Sequence, residues 1–256
     1  MKKLLSIALC AAAITSFAED TTSTVTLADV GVLSVTIPAN QTNTIIAASF
    51  KNLSDTTKDV SIADMIKTTN LAAGDKLLLF KGSGTYETWV LDSDGKWQAA
   101  TKTYTVDANG KLVEGTGTPS STTVTAGTGL WIVRESNTDK AASIAIYGAY
   151  TSDAKSTTTT AKAWNLIGNP GLVAKTISTG TKGDYIIKIV NGKQRKYMYN
   201  TKKKAWYYQT KAVVDNKVKT TSVYESPAIA SGEGFWYYTQ SAVTIDWADE
   251  VKSSED

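Results

Sequence analysis

The chain has 256 residues, enough for one large domain or two of about 100 residues each. It has no histidine and one cysteine, Cys10, which removes the Ser-His-Asp, Cys-His and zinc-histidine constellations. Charged residues make up 20%, and the abundance of Thr, Ser, Val, Tyr and Trp suits pleated, half-buried surfaces better than helices.

Residues 1–18 read as a cleaved signal peptide. Met1, Lys2 and Lys3 give a basic start, Leu4 to Thr15 an apolar core, and Ser16-Phe17-Ala18 a small-x-small cleavage site. Leu9 is bulky where a lipoprotein signal takes a small residue before its cysteine, so Cys10 does not argue for lipidation. The apolar run is short for a bilayer and no later run is longer, so no membrane insertion is expected. The expected location is periplasmic, cell-surface or extracellular. Losing Lys2 and Lys3 with the leader leaves 25 basic residues against 24 acidic ones. That near-balance gives no electrostatic case for a nucleic-acid partner.

From residue 19 a polar Thr/Ser stretch leads into alternation. Leu33, Val35 and Ile37 alternate with Ser34 and Thr36, and Pro38 ends the strand. Thr44 to Phe50 reads as a second strand. Between Asp59 and Asn70 the period becomes helical: Ile62, Met65 and Ile66 share a face, with Ser61 and Asp64 as a capping pair. Strands then follow at Lys76–Lys81 and up to Leu91, joined by Gly82-Ser-Gly84, and a turn at Ser93-Asp-Gly95 leads to Trp97. Asp107-Ala-Asn-Gly110 predicts a hairpin between strands 104–106 and 111–113. A Gly/Thr/Ser-rich loop covers 115–123, and a strand is expected over Ala142–Tyr147.

The element Gly127-Thr-Gly-Leu-Trp131 then recurs as Gly232-Glu-Gly-Phe-Trp236. Gly74-Asp75 matches Gly183-Asp184, Trp97 matches Trp206 at equal spacing, and Ile144-Ala-Ile146 matches Val243-Thr-Ile245. Landmarks in one order indicate an internal duplication. The fold expected is all-β: two internally repeated antiparallel β-sandwich or partly open barrel units, with one short helix in the first. The units run 19–150 and 163–256, around a Ser/Thr-rich linker at 151–162. Two domains, or one pseudo-symmetric body, both satisfy this pattern. The acidic tail 249–256 is expected to fray.

Trp164-Asn-Leu-Ile-Gly-Asn-Pro170, the mid-unit Trp206 and Gly232-Glu-Gly-Phe-Trp236 resemble a loose class of secreted bacterial β-repeat proteins. The likeness covers the second unit; in the first, Ile45-Ile-Ala-Ala48 replaces Trp-Asn-Leu-Ile. It implies an exported or surface β-module, with no activity and no functional residues.

Trp97, Trp131, Trp206 and Trp236 recur between the units and are expected as core anchors, the alternative being a sugar-stacking site made of the same rings. The glycines before Trp131 and Trp236 permit a bend or a close backbone approach. What the second unit alone has is more telling. Alignment on Gly74 and Gly183 sets Tyr197 opposite Thr88, Tyr207 opposite Gln98 and Tyr208 opposite Ala99. Alignment on the Gly-x-Gly elements sets Tyr237 opposite Ile132 and Tyr238 opposite Val133. Tyr197 and Tyr207 are expected to form an exposed strip edged by Lys193, Arg195 and Lys196, with Tyr208 and Tyr237 as further candidates. Such a strip suits a glycan or a protein partner. The competing reading is a cross-strand aromatic ladder or a contact between the units.

Asp92-Ser-Asp94-Gly95 looks like part of a calcium loop, but lacks the terminal carboxylate, and a hairpin turn explains it. No metal, cofactor or catalytic residue is assigned; a carboxylate-dependent glycosidase is the enzyme runner-up. The function expected is adhesive, extracellular-matrix or envelope-structural, without catalysis. The alternatives are a carbohydrate-binding module and a self-associating fibre subunit that donates the Leu33, Val35 and Ile37 strand to a neighbour's edge.

Overall fold

The structure is a computed structural model that describes residues 30–99, 104–106, 112–114, 122–135, 138–151, 155–215 and 217–247. The leader with its cleavage site, the 107–110 turn, most of the 115–123 loop and the acidic tail lie outside the described residues. Among the described residues no helix is long and apolar enough to cross a membrane.

The first half contains β1 (Val30–Ile37), β2 (Asn43–Ala47), β3 (Val60–Ser61), helix α1 (Ile62–Met65), β4 (Ile66–Thr69), β5 (Lys76–Gly82) and β6 (Thr85–Leu91). It continues with β7 (Trp97–Ala99), β8 (Tyr104–Val106), β9 (Leu112–Glu114), β10 (Thr123–Val124), β11 (Gly129–Val133) and β12 (Ala142–Ala149). The second half contains β13 (Ser156–Thr158), β14 (Ala163–Gly168), β15 (Lys175–Thr176), β16 (Tyr185–Val190) and β17 (Lys193–Asn200). It ends with β18 (Ala205–Val214), β19 (Lys217–Tyr224), β20 (Ala228–Ile229), β21 (Gly234–Thr239) and β22 (Thr244–Asp246).

The fold is all-β and antiparallel, with a single short helix among the described residues, where the capping pair placed it. Ser61 Oγ accepts the Asp64 N–H at 3.2 Å and donates to the Asp64 carboxylate at 2.6 Å. The helix stops after four residues because Ile66–Thr69, rich in β-branched side chains, joins β12 as strand β4.

The main sheet of the first half has the order β2-β11-β5-β6-β7, and that of the second β14-β21-β16-β17-β18-β19. The five strands of the first order match the first five of the second in sequence, and β19 has no counterpart in the first main sheet. Among the smaller sheets, β3-β10 matches β15-β20, and β1-β12 matches β13-β22 except that the first half adds β4 beyond β12. Asp75 and Asp184 sit buried at matched strand entries. Asp75 accepts the N–H groups of Ala72 and Glu135, and Asp184 those of Thr181 and Gln240.

Each half buries the inner face of its main sheet under its smaller pairs. Leu77, Trp89, Trp97, Leu130 and Ile132 meet Ile37, Ile144 and Ile146 in the first core. Ile186, Tyr197, Trp206, Phe235 and Tyr237 meet Ile229, Ile245 and Trp247 in the second.

A seam joins the halves and follows the same correspondence. The Ala47 N–H donates to the Gly232 carbonyl at 2.8 Å, and the Gly168 N–H to the Gly127 carbonyl at 2.9 Å. A Cβ on Gly129 would meet the Ile167 backbone at 2.9 Å, and one on Gly234 would meet Ile45 Cγ2 at 2.4 Å. Only glycine permits so close an approach. Ile45, Leu166 and Trp236 fill the seam, with Phe80, Trp131, Ile187 and Ile189 packed against them. Trp97 and Trp206 are therefore core anchors, whereas Trp131 and Trp236 anchor one half to the other.

Two expected segments take their places in the fold here. The 151–162 stretch, expected as a linker, holds strand β13 paired with β22, and Thr159 is buried. Its threonines read as linker by composition but are β-branched and pair as a strand. Leu33, Val35 and Ile37, expected as a strand for donation, lie on β1, which pairs with β12 of its own chain along all eight residues. Leu33 and Val35 pack on the first core and Ile37 lies within it.

Candidate functional site

Residues directly opposite across antiparallel strands project from the same face. Following the pairings across the second main sheet gives Trp164 on β14, Tyr238 on β21, Tyr185 on β16, Met198 on β17, Tyr207 on β18 and Tyr224 on β19. These six form one row across all six strands, on the face opposite the second core. At the usual strand spacing the row is about 24 Å long. Trp164 is 37% exposed and Tyr224 41%, and the four between them are half-buried.

The rings touch in order. Trp164 lies 5.4 Å from Tyr238, Tyr238 6.1 Å from Tyr185, and Tyr207 5.5 Å from Tyr224, centroid to centroid. Met198 bridges the gap between Tyr185 and Tyr207. Two ammonium groups cap the row: Lys196 Nζ stands 3.9 Å above the Tyr185 ring and Lys203 Nζ 4.0 Å above Tyr224. Asn200 also donates to the Tyr224 hydroxyl at 3.3 Å. At the other end Trp164 meets Trp236, which packs on Phe80 of the first half at 4.8 Å. The aromatic surface thus runs into the seam.

The positions matched in the first half are Asn43, Val133, Lys76, Val90 and Gln98. None is aromatic, so the row belongs to the second half alone.

The expected strip is rearranged. Tyr207 lies in the row, and Lys196 covers Tyr185 beside it. Tyr197 pairs with Ile186, lies on the opposite face and is 2% exposed. Its counterpart is the core residue Trp89, which pairs with Leu77, and not Thr88. The one-residue error arises at a bulge between Phe80 and Gly82, where the first half carries an extra residue in its hairpin. Tyr237 is fully buried in the second core, and its match Ile132 is buried likewise. Tyr208 packs on that core too, 5.4 Å from Tyr197, with the Arg195 guanidinium 4.4 Å above its ring. Burial pushes the Tyr197 hydroxyl above its ordinary range, against the opposing pull of Arg195.

Sequence reasoning missed Trp164, Tyr185 and Tyr224. The available signal was the two-residue period carried across the hairpin turn from Tyr207, which reaches Met198 and then Tyr185.

Other chemistry-bearing groups serve the scaffold. Asp92 accepts the N–H groups of Asp94 and Lys96 and the Gln98 amide, at 2.8–2.9 Å. The Lys96 bond, then that of Gln98, holds its carboxyl below the usual range. Among the described residues no group of three or more Asp, Glu, His or Cys is placed to hold a metal ion. Compared with family models, with curated proteins and with solved structures, the chain gives no match.

Proposed function

We propose that this chain is an exported, non-catalytic binding protein of two corresponding β-units, which attaches to a glycan through the aromatic row of its second unit. The observation that carries this reading is the continuous, partly exposed row Trp164, Tyr238, Tyr185, Met198, Tyr207 and Tyr224. Stability alone does not require it, since the first unit has the matching five strands with Asn, Val, Lys, Val and Gln in its place. Flat rings spread over about 24 Å suit an extended, repeating ligand with apolar faces, which a sugar chain presents. Tyrosine and tryptophan supply such contact area at low entropy cost. An adhesive or matrix role follows from export together with attachment.

The test is retention on immobilised polysaccharides, followed by titration with oligosaccharides. Trp164→Ala, Tyr207→Ala and Tyr224→Ala should each weaken binding about tenfold, or about 1.4 kcal/mol. Gln98→Ala, at the matched place in the first unit, should change nothing. Failure of a broad glycan panel to retain the protein removes the reading.

A further inference from the structure

We propose that the glycan held by the row is acidic: a polyuronate whose carboxylates are met by Lys196 and Lys203. The inference rests on the row being a glycan site and adds the charge of its ligand. The side chains on this face can be followed strand by strand. They are Trp164 and Leu166 on β14, Trp236 and Tyr238 on β21, and Tyr185, Ile187 and Ile189 on β16. Next come Gln194, Lys196, Met198 and Asn200 on β17, then Ala205, Tyr207, Gln209, Lys211 and Val213 on β18. Val218, Thr220, Ser222 and Tyr224 complete it on β19. None is a carboxylate, although the mature chain is nearly neutral.

Of the acidic groups near this sheet, Glu225 follows Tyr224 just beyond the strand and its charge acts on Arg195 and Tyr197, and two others are held elsewhere. Asp184 is buried among backbone donors on the inner side, and Glu233 pairs with Lys188 at 3.1 Å. Neither Lys196 nor Lys203 has a salt-bridge partner among the described residues. Each stands about one contact distance above a ring, attracted to its negative face. A sugar lying on the row would place its substituents at those ammonium groups. A carboxylate there completes an ion pair with the ammonium group, which a neutral hydroxymethyl group cannot.

The decisive comparison uses one backbone in two charge states: polygalacturonate and its fully methyl-esterified form, titrated against the mature chain. The acid form should bind at least tenfold more tightly, and the preference should shrink as salt rises from 0.05 to 0.5 M, within roughly the range where screening becomes strong. The K196Q/K203Q double variant, at exposed or turn positions, should lose the preference, its affinity for the acid form falling to that for the ester, while its melting temperature is kept. Equal binding of acid and ester overturns the inference and leaves the glycan reading standing. If neither they nor a neutral polysaccharide panel is bound, both fall. Tighter binding of oligothymidylate than of polygalacturonate also overturns it, since aromatic rings beside lysines can equally stack bases.

Discussion

The backbone N–H of Ala47 donates to the carbonyl of Gly232 across the seam between the halves, at 2.8 Å. Its counterpart, Gly168 to Gly127, closes the same bond in the other direction. The two Gly-x-Gly elements are therefore the joint of the molecule, each held against the first long strand of the opposite main sheet. The aromatic row begins at this joint, through Trp164 and Trp236.

The joint predicts cooperative unfolding. Gly234→Ala sets a methyl 2.4 Å from Ile45 Cγ2 and 2.8 Å from the Ile46 carbonyl. The strain should cost about 1–3 kcal/mol. Calorimetry of the unaltered chain should give one transition, and the variant should lower its midpoint. Two separate transitions in the unaltered chain, or an unshifted midpoint in the variant, would contradict the close seam.

Tyr197 and Tyr207, ten residues apart, should behave oppositely. Tyr197→Ala empties a site in the second core, where truncation of a large ring costs about 3–5 kcal/mol. Tyr207→Ala removes a half-buried ring from the outer row and should cost less than about 1.5 kcal/mol, while weakening ligand binding. Denaturant titration with a parallel binding assay separates the two. A stability loss at Tyr207 as large as that at Tyr197 would make the row a structural ladder.

The contrast also shows what the sequence carried. The alternation of Leu33, Val35 and Ile37 identified β1, and Ser61 with Asp64 identified the helix, because both signals are local. The matched glycines, aspartates and tryptophans fall at like places in two main sheets whose first five strands follow one order. The row was legible only in kind, as tyrosines present in the second half and absent from the first. Its membership depends on register, and a one-residue slip moves a side chain to the other face. The bulge at Phe80 and Gly82 supplies that slip, which turned Trp89's counterpart into an apparent surface residue. The pairing of Thr157 with Ile245 was equally hidden, because composition says nothing of a distant partner strand.

The β18–β19 ribbon makes a third prediction. Beyond Tyr208 and Val223 both strands are exposed, with Val213 72% and Val218 68% accessible. Replacing residues 210–221 by Asn-Gly, between the paired Gln209 and Ser222, should therefore change stability by no more than about 1 kcal/mol. A large loss of stability on thermal melting would mean that the ribbon supports the sheet.

Tyr237 makes the last. Its ring is fully buried in the second core, and its hydroxyl has no hydrogen-bond partner among the described residues. Burial, and after it the charge of Asp184, pushes that hydroxyl far above its ordinary range. The folded chain thus keeps Tyr237 neutral where the unfolded chain ionises it, from about pH 10 upward. With the folded value raised, the stability is fully present below pH about 10 and falls as pH climbs beyond it. Tyr237→Phe keeps the ring and removes both the unpartnered oxygen and this titration. Phenylalanine should raise stability at neutral pH by about 1–3 kcal/mol and flatten the alkaline decline, read from melting temperatures at pH 7 to 11. Some slope should persist, because burial also raises Tyr86 and Tyr197. An unchanged midpoint with an unchanged slope would require a partner for the hydroxyl. The matched residue in the first core, Ile132, is wholly apolar, which is what the packing at this position accepts.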